Sequence, residues 1–299
     1  MNILVSGSSG LIGSALVPFL TAAGHRVLRL VRAPKTGNEA SIQWNPETGS
    51  LDATALEELD GVIHLAGENI AGLWSPAKKR SILESRVRPT QLLCSSLASC
   101  QRRPQVIVCA SALGYYGDRG SESVSEESPP GTGSLAEVCK AWEAAAEPAR
   151  ASGIRVVSLR IGPVLTSTGG MLERIMIPFR LGIGGKLGSG RQYMSWISLD
   201  DLLGAILHAV TTESLIGPVN AVTPYPISNL EFTRTLARLL GRPSFLSIPA
   251  FALRLALGEL ADSMLLVSIR AEPARLLRAG YRFSYPTLEE ALRHALGRI

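Results

Sequence analysis

The stretch Ile3-Leu4-Val5-Ser6-Gly7-Ser8-Ser9-Gly10-Leu11-Ile12-Gly13 decides the fold, because it puts an apolar run directly before three glycines at one-in-three spacing. It predicts a buried strand turning into a helix around a phosphate cradle. Gly7 and Gly10 let the backbone turn tightly and approach a pyrophosphate, while Gly13 lets the helix pack close on the strand. Ser8, Ser9, Leu11 and Ile12 complete the cradle, and the unpaired N–H groups at the positive end of the helix face the anion. A glycine triplet alone is a weak signal, so its context carries the reading. Here Leu11, Ile12, Ala15, Leu16, Phe19 and Leu20 continue at helical spacing, Gly24 stops the helix, and residues 26–31 read as a second strand.

Outward from the cradle the alternation continues. Residues 61–65 read as a buried strand, Ser75 and Pro76 open a long helix running towards Cys100, and residues 106–110 form another buried strand. A loop rich in Gly, Ser and Pro over 111–134 is longer than a connection needs, which points to function. Residues 135–151 read as a helix and 155–161 as the strand after it. Beyond Gly162 the alternation breaks down into a glycine-rich segment over 169–190. Asp200 and Asp201 read as caps for a helix over 202–210, and capping boxes at Ser228 with Glu231 and Thr287 with Glu290 open two later helices. Another helix is expected near 250–257. The expected architecture is α/β: a Rossmann-type doubly wound, mostly parallel sheet over residues 1–165, with a smaller, mostly helical C-terminal cap over 166–299. Residues 194–221 are expected to return to the sheet.

With 299 residues, 46% of them hydrophobic, the chain can bury a sizeable core. Its net charge of +5 is dispersed, and few aromatics lie among the Lys and Arg residues. That pattern fits an anionic cofactor or substrate rather than a nucleic acid. Cys94, Cys100, Cys109 and Cys139 make no C-x-x-C pair, which implies a reduced, cytoplasmic setting. Histidines 25, 64, 208 and 294 lack ligand spacing, so no metal is expected. The most apolar late stretch, 245–257, is broken by Pro249 and Arg254 and is too short to cross a membrane; no basic leader precedes the first strand.

Cofactor choice is read at the end of the second strand, where an acid would bind the ribose 2′-hydroxyl and a base the 2′-phosphate. Arg32 stands there with Lys35 behind it, and no Asp or Glu occurs before Glu39. This favours NADP over NAD, since a guanidinium can hold a phosphate through two parallel hydrogen bonds; a solvated surface arginine is the plainer reading. Leu65, Ala66 and Gly67 end the third expected strand, either against the cofactor or as a simple tight turn.

Several runs together resemble the extended short-chain dehydrogenase/reductase superfamily: G-S-S-G-L-I-G at Gly7, His64-Leu65-Ala66-Gly67, S-A-L-G-Y-Y-G at Ser111 and R-I-G-P-V at Arg160. L-A-G-E-N-I from Leu65, V-C-K-A-W-E from Val138, P-F-R-L-G-I-G-G from Pro178, W-I-S-L-D-D from Trp196 and the closing G-Y-R-F-S-Y-P-T-L-E-E-A-L narrow this to the atypical, sugar-nucleotide-epimerase-like branch of "epimerase family" proteins. The resemblance implies NADP along the glycine loop and a site on the carboxyl edge of the sheet. It also implies a serine, a tyrosine and a lysine one turn after the tyrosine for proton transfer, the lysine lowering the pKa of the phenol. Ser111 fits the serine and Lys140 the lysine, but Ala136 stands four residues before Lys140, where a tyrosine is expected. Either Tyr115 or Tyr116 could present a hydroxyl instead, or both could be packing residues. Arg86 is placed to reach cofactor phosphate or ribose, or to make a surface ion pair; Pro163, Val164 and Leu165 would lie against the nicotinamide. Arg191, Tyr193 and Trp196 are candidates for the substrate wall.

Two functions follow from these readings. One is an NADP-dependent oxidoreductase or epimerase-like enzyme acting on a small polar carbonyl or alcohol, or on a nucleotide-linked substrate. The other, motivated by Ala136, is a non-catalytic NADP(H)-responsive regulatory or scaffold protein with a protein partner.

Overall fold

The computed structural model describes residues 1–33 and 40–297. The chain opens with β1 (Asn2–Ser6), whose Ile3, Leu4 and Val5 are fully buried, followed by α1 (Leu11–Ala22) and β2 (Arg26–Val31). Next come β3 (Ser41–Asn45) and β4 (Ser50–Leu51), neither of which the reading of the sequence anticipated. The signal for β3 was its strict alternation, S-I-Q-W-N, which buries Ile42 and Trp44 and leaves the residues between them exposed. Then follow β5 (Gly61–His64), α2 (Pro76–Ser99) and β6 (Val106–Ala112). After α3 (Ser134–Ala144) and β7 (Arg155–Ile161), the chain leaves the sheet through α4 (Gly170–Arg180). It returns with α5 (Leu199–Thr211) and β8 (Gly217–Ala221), and ends in α6 (Asn229–Leu240), α7 (Ala250–Leu257) and α8 (Leu288–Ala295).

One eight-stranded sheet runs in the order β8, β7, β6, β5, β1, β2, β3, β4 and is parallel except for the antiparallel edge strand β4. Its strands are near-continuous apolar runs because helices cover both faces. Leu16 and Leu20 of α1 pack with Leu202 and Ile206 of α5 on one face, and Leu93 and Leu97 of α2 pack with Ala146 and Ala149 on the other. Strand order reverses between β1 and β5, so the crevice at their carboxyl ends is the natural ligand site of such a sheet.

Two expected helices have different limits. The helix expected over 135–151 breaks into α3 and a second short helix over Glu147–Ala151, whose first turn carries Pro148, a residue with no N–H to continue the preceding helix's hydrogen bonds. Helix α5 is capped not by Asp200 and Asp201 but by Ser198, whose Oγ accepts from the Asp201 N–H at 3.0 Å. Asp201 itself is buried, accepting the N–H groups of Ser284 at 2.6 Å and Tyr285 at 3.0 Å, and so ties the C-terminal segment to the sheet domain.

The cap has its own core, built from Leu172, Met176 and Phe179 of α4, Phe232 and Leu236 of α6, Leu288 and Leu292 of α8, and Trp196. Alongside these helices are short strand pairs, among them Gly185–Leu187 with Leu246–Ile248 and Tyr193–Met194 with Ile227–Ser228. Another, Arg270–Ala271 with Ser123–Val124, joins the cap to the loop after β6.

Candidate cofactor and active site

Gly7 takes the left-handed conformation at φ +69°, and a Cβ there would lie 2.8 Å from the Leu65 carbonyl carbon. Gly13 faces the turn it supports, since a Cβ there would lie 2.2 Å from the Gly7 carbonyl oxygen. Both glycines therefore serve chain-on-chain packing. Only Gly10 opens outward, the nearest atom to an added Cβ being the Gly7 oxygen at 3.3 Å. Gly10 is also the N-cap of α1, without a side-chain cap and with no acidic residue in the first turn. The first-turn N–H groups of Leu11, Ile12 and Gly13 thus lack helical partners, and no first-turn acid offsets the positive end of the helix. Ser9, Gly10, Leu11 and Ser14 line an open groove of about 590 Å³, faced across it by Thr168, Gly169 and Gly170 of the cap. Ser8 is buried beneath the turn.

Beneath the cradle lies a polar cluster that the reading of the sequence did not assign a role. His64 Nδ1 lies 2.7 Å from Ser6 Oγ, and its Nε2 lies 3.0 Å from Thr90 Oγ1. Thr90 donates to the Arg86 carbonyl at 2.6 Å and accepts from Trp142 Nε1 at 3.0 Å. Its single proton is thereby used, so His64 donates through Nε2 and accepts from Ser6 through Nδ1, as a neutral ring. Burial pushes the imidazole down to about 4. Ser6 Oγ also accepts the N–H groups of Leu65 at 3.2 Å and Ala66 at 3.4 Å, which fixes the end of β5 against the cradle.

Arg32 follows β2 with its side chain exposed at the sheet edge; Lys35 lies outside the described residues. Arg86, on α2, lies over Gly67, with its Cζ 3.4 Å from where a Cβ of that glycine would be and 5.0 Å from the Trp142 ring centre. Its guanidinium donates to the carbonyls of Ile82 at 3.1 Å and Glu68 at 3.0 Å, and it makes no ion pair among the described residues. Desolvation lowers its pKa.

At the end of β6 a second network gathers. Ser111 Oγ donates to Glu143 Oε1 at 2.7 Å, and Arg160 binds the same carboxylate through two hydrogen bonds of 2.8 and 2.9 Å. A further Arg160 nitrogen donates to the Tyr116 hydroxyl at 2.9 Å, which in turn donates to Asn220 Oδ1 at 2.8 Å. Burial works against the charge of Arg160, but the Glu143 carboxylate more than offsets this and its pKa is raised. Tyr115 lies with its ring 3.4 Å from the Arg160 Cζ and edge-on to Tyr116. Its hydroxyl makes no hydrogen bond among the described residues, so of the two tyrosines it is the one whose hydroxyl remains available.

Lys140 is not brought to Ser111. It lies on the exposed side of α3, ion-paired with Glu137 at 3.1 Å. Residues four apart share a helix face, and the face turned to β6 carries Leu135, Cys139 and Glu143: an added Cβ on Gly114 would meet the Leu135 Cβ at 3.1 Å and the Cys139 Sγ at 3.7 Å. On that face the residues four apart are Leu135 and Cys139, neither of them a tyrosine or a lysine, while Ala136 is buried and Lys140 exposed. Burial pushes the Cys139 thiol up to about 11. Glu143, Arg160, Asn220 and His64 are the residues that sequence reasoning missed. The signal for Glu143 was its spacing of four from Cys139, hidden by the more conspicuous Lys140.

Pro163 accepts the Ile197 N–H at 3.0 Å, and Val164 and Leu165 pair with Ile197 and Ser198. Leu165 turns into the core of the cap and does not face the cleft, and fully buried Trp196 joins that same core instead of a substrate wall. Tyr193 stays half-buried with the Arg270 Cζ 5.4 Å from its ring centre, and Arg191 is exposed. Across the mouth of the cleft, Glu259 of the cap contacts Lys79 in the first turn of α2 and Ser134 at the start of α3.

A doubly wound sheet with a glycine cradle at its switch point and a serine–tyrosine cluster at the end of β6 defines a short-chain dehydrogenase/reductase-type fold. Residues 3–222 match the NAD dependent epimerase/dehydratase family, and residues 248–295 match a domain of unknown function (DUF1731). The epimerase family protein Mb2239 of Mycobacterium bovis is 46% identical over 297 residues, covering 99% of this chain and 98% of that protein. Among solved structures, human epimerase family protein SDR39U1 (isoform 2) with NADPH superposes with a TM-score of 0.92 at 34% identity, covering 100% of both chains. The nucleoside-diphosphate sugar epimerase from Corynebacterium glutamicum gives 0.82 at 34% identity, covering 99% of this chain and 58% of that one. The chain belongs to the NAD dependent epimerase/dehydratase family, in its atypical branch of epimerase family proteins. Among the described residues, no helix is long and apolar enough to cross a membrane.

Proposed function

We propose that the protein binds NADP(H) along the carboxyl edge of its sheet. We further propose that it acts as an oxidoreductase or epimerase-like enzyme on a small polar alcohol or carbonyl, or on a nucleotide-linked substrate. The residues fit the cofactor: α1 presents an uncapped N-terminus without a first-turn acid, and Arg32 stands exposed where a 2′-phosphate would be read. The NADPH carried by the human relative supports this choice. Once bound, the dinucleotide supplies hydride exchange at its nicotinamide.

The observation that carries the catalytic reading is Tyr115, whose hydroxyl makes no hydrogen bond among the described residues and whose ring lies against the Arg160 guanidinium that also binds the Glu143 carboxylate held by Ser111. Tyr115 passes a proton to or from the substrate oxygen. The proton of Ser111 is committed to Glu143, so Ser111 meets the substrate as a hydrogen-bond acceptor and favours a hydroxyl over a carbonyl at that point. Absorbance of the reduced nicotinamide, followed over a panel of alcohols, carbonyls and nucleotide sugars, tests this. Tyr115→Phe should lower kcat on any substrate found by about 100-fold or more, while a turnover unchanged in that variant refutes the role of Tyr115.

A second reading, a non-catalytic NADP(H)-responsive regulatory or scaffold protein, is favoured by Leu135 and Cys139 on the face where a tyrosine and a lysine would stand. It predicts tight cofactor binding with no turnover anywhere on the panel.

A further inference from the structure

The cap carries a surface that its own chain does not cover. Ile177 and Leu181 stand four residues apart at the end of α4, and both are exposed. The turn that follows folds back, the Ile183 N–H donating to the Pro178 carbonyl at 3.0 Å, and leaves Ile183 exposed as well. It abuts the turn after α6: an added Cβ on Gly182 would lie 4.0 Å from the Pro243 ring, and Gly185 pairs with Leu246 beside Phe245. From there Pro249 caps α7, whose Ala250 Cβ lies 3.7 Å from where a Cβ of Gly188 would be. Phe245, Phe251 and Leu255 are 80%, 71% and 88% exposed, so they project from the surface instead of lining a groove.

The charge around these residues is of one sign. The stretches 174–199 and 232–258, which carry the whole face, contain eight Lys and Arg residues and no Asp or Glu. Two of the eight are neutralised from outside, Arg238 by Glu289 and Arg254 by Asp262. Arg174, Arg180 and Arg242 are exposed beside the apolar residues and make no ion pair among the described residues. Of the acids that bound the two stretches, Glu259 is engaged with Lys79 and Asp200 with His294, which leaves Glu173 and Glu231. The balance is positive. A second copy of the same face would therefore meet it with like charge, which works against self-association.

We propose that this face docks the protein on an anionic lipid bilayer. Phe245, Phe251 and Leu255 enter the boundary between headgroups and acyl chains, while the arginines around them meet the headgroup charge. Projecting side chains bury into lipid without a shaped partner, whereas a protein would have to supply a pocket for each. Among the described residues no helix is long and apolar enough to cross a membrane, so this contact is a peripheral one. It does not depend on the NADP(H) reading.

Flotation of the full-length protein with phosphatidylcholine vesicles containing about one-third phosphatidylglycerol tests this. Wild-type protein should float with these vesicles, stay behind with phosphatidylcholine alone, and be released as added salt screens the headgroup charge. Removing two charges, as Arg180→Gln with Arg242→Gln, should weaken partition about 25-fold, at roughly fivefold for each charge. Phe251→Ser with Leu255→Ser should weaken it by about the same factor or more. All four side chains are exposed, and should one double variant fail to fold, the other decides. A wild type that ignores the anionic vesicles overturns the proposal, as does equal flotation on neutral and anionic vesicles, or flotation undiminished in the folded variants. A wild type that stays off vesicles but dimerises in sedimentation equilibrium, with the dimer lost in Phe251→Ser with Leu255→Ser, overturns it in favour of a second copy. One that binds poly-glutamate and not vesicles overturns it in favour of an acidic protein.

Discussion

The two ends of the cleft are built on opposite principles. At the cradle the chain packs against its own backbone, Gly13 on Gly7 and Gly7 on Leu65, and leaves its outward N–H groups without partners. At the Ser111 end the side chains satisfy one another: Ser111 and Arg160 on Glu143, and Tyr116 on Asn220. One end is folded tightly so that hydrogen-bonding capacity is left for a ligand. The other has used most of its capacity internally and leaves the Tyr115 hydroxyl without a hydrogen bond among the described residues. The contrast separates a backbone-built binding end from an end whose few side chains are held by a buried ion pair.

Breaking that ion pair should give the largest effect. Glu143→Ala leaves Arg160 buried without its counter-ion, and a loss of about 3–5 kcal/mol in unfolding free energy is expected from denaturant titration. A loss below about 1 kcal/mol would show that the pair is not effectively buried.

Acid should act next, and through the cradle end. The folded imidazole of His64 titrates at about 4, against 6.5 for the free side chain. The unfolded chain therefore takes up a proton that the native protein refuses. Stability is full above pH 6.5 and falls as the pH drops towards 4, by about 3 kcal/mol for this residue. His64→Gln should flatten the curve across that window, and a variant with an unaltered slope would assign the acid sensitivity elsewhere.

The smallest expected effect sharpens the comparison within the cradle itself. Gly13→Ala drives a methyl into the Gly7 carbonyl and should cost about 1–3 kcal/mol of stability. Gly10→Ala makes a milder contact, its Cβ 3.3 Å from the Gly7 oxygen, so it should cost less stability than Gly13→Ala, yet its methyl projects outward into the groove and NADPH affinity should fall about tenfold, equivalent to about 1.4 kcal/mol. Equal behaviour of the two alanines in both measurements would erase the distinction between packing glycine and ligand-facing glycine.

Legibility followed the same division. The cradle, β2, β5, α2, β6 and β7 were readable because local signals coincide there: apolar runs, glycine spacing, a Ser–Pro helix start. The edge strands β3 and β4 were missed because five alternating residues and a two-residue pair are weak signals amid a polar stretch. Trp196 looked like a wall residue because an aromatic after a glycine-rich loop reads the same whether it lines a cleft or fills a core. Lys140 turns out on the exposed face of α3, since nothing local tells which residue of Cys139 and Lys140 faces β6 until the strand is there to face.

By itself, then, the sequence determined the doubly wound sheet, the glycine cradle and a basic residue after β2. These depend on backbone conformation and on burial patterns repeated along neighbouring residues. Only the tertiary structure decided which glycine looks outward, that Tyr115 rather than Tyr116 keeps a free hydroxyl, and that Glu143 and Arg160 close over Ser111. Those facts join residues up to 104 positions apart, as between Tyr116 and Asn220. Hydrogen-bond partnership at such separations is fixed by packing, through which way each helix turns its face, and carries no trace in local spacing.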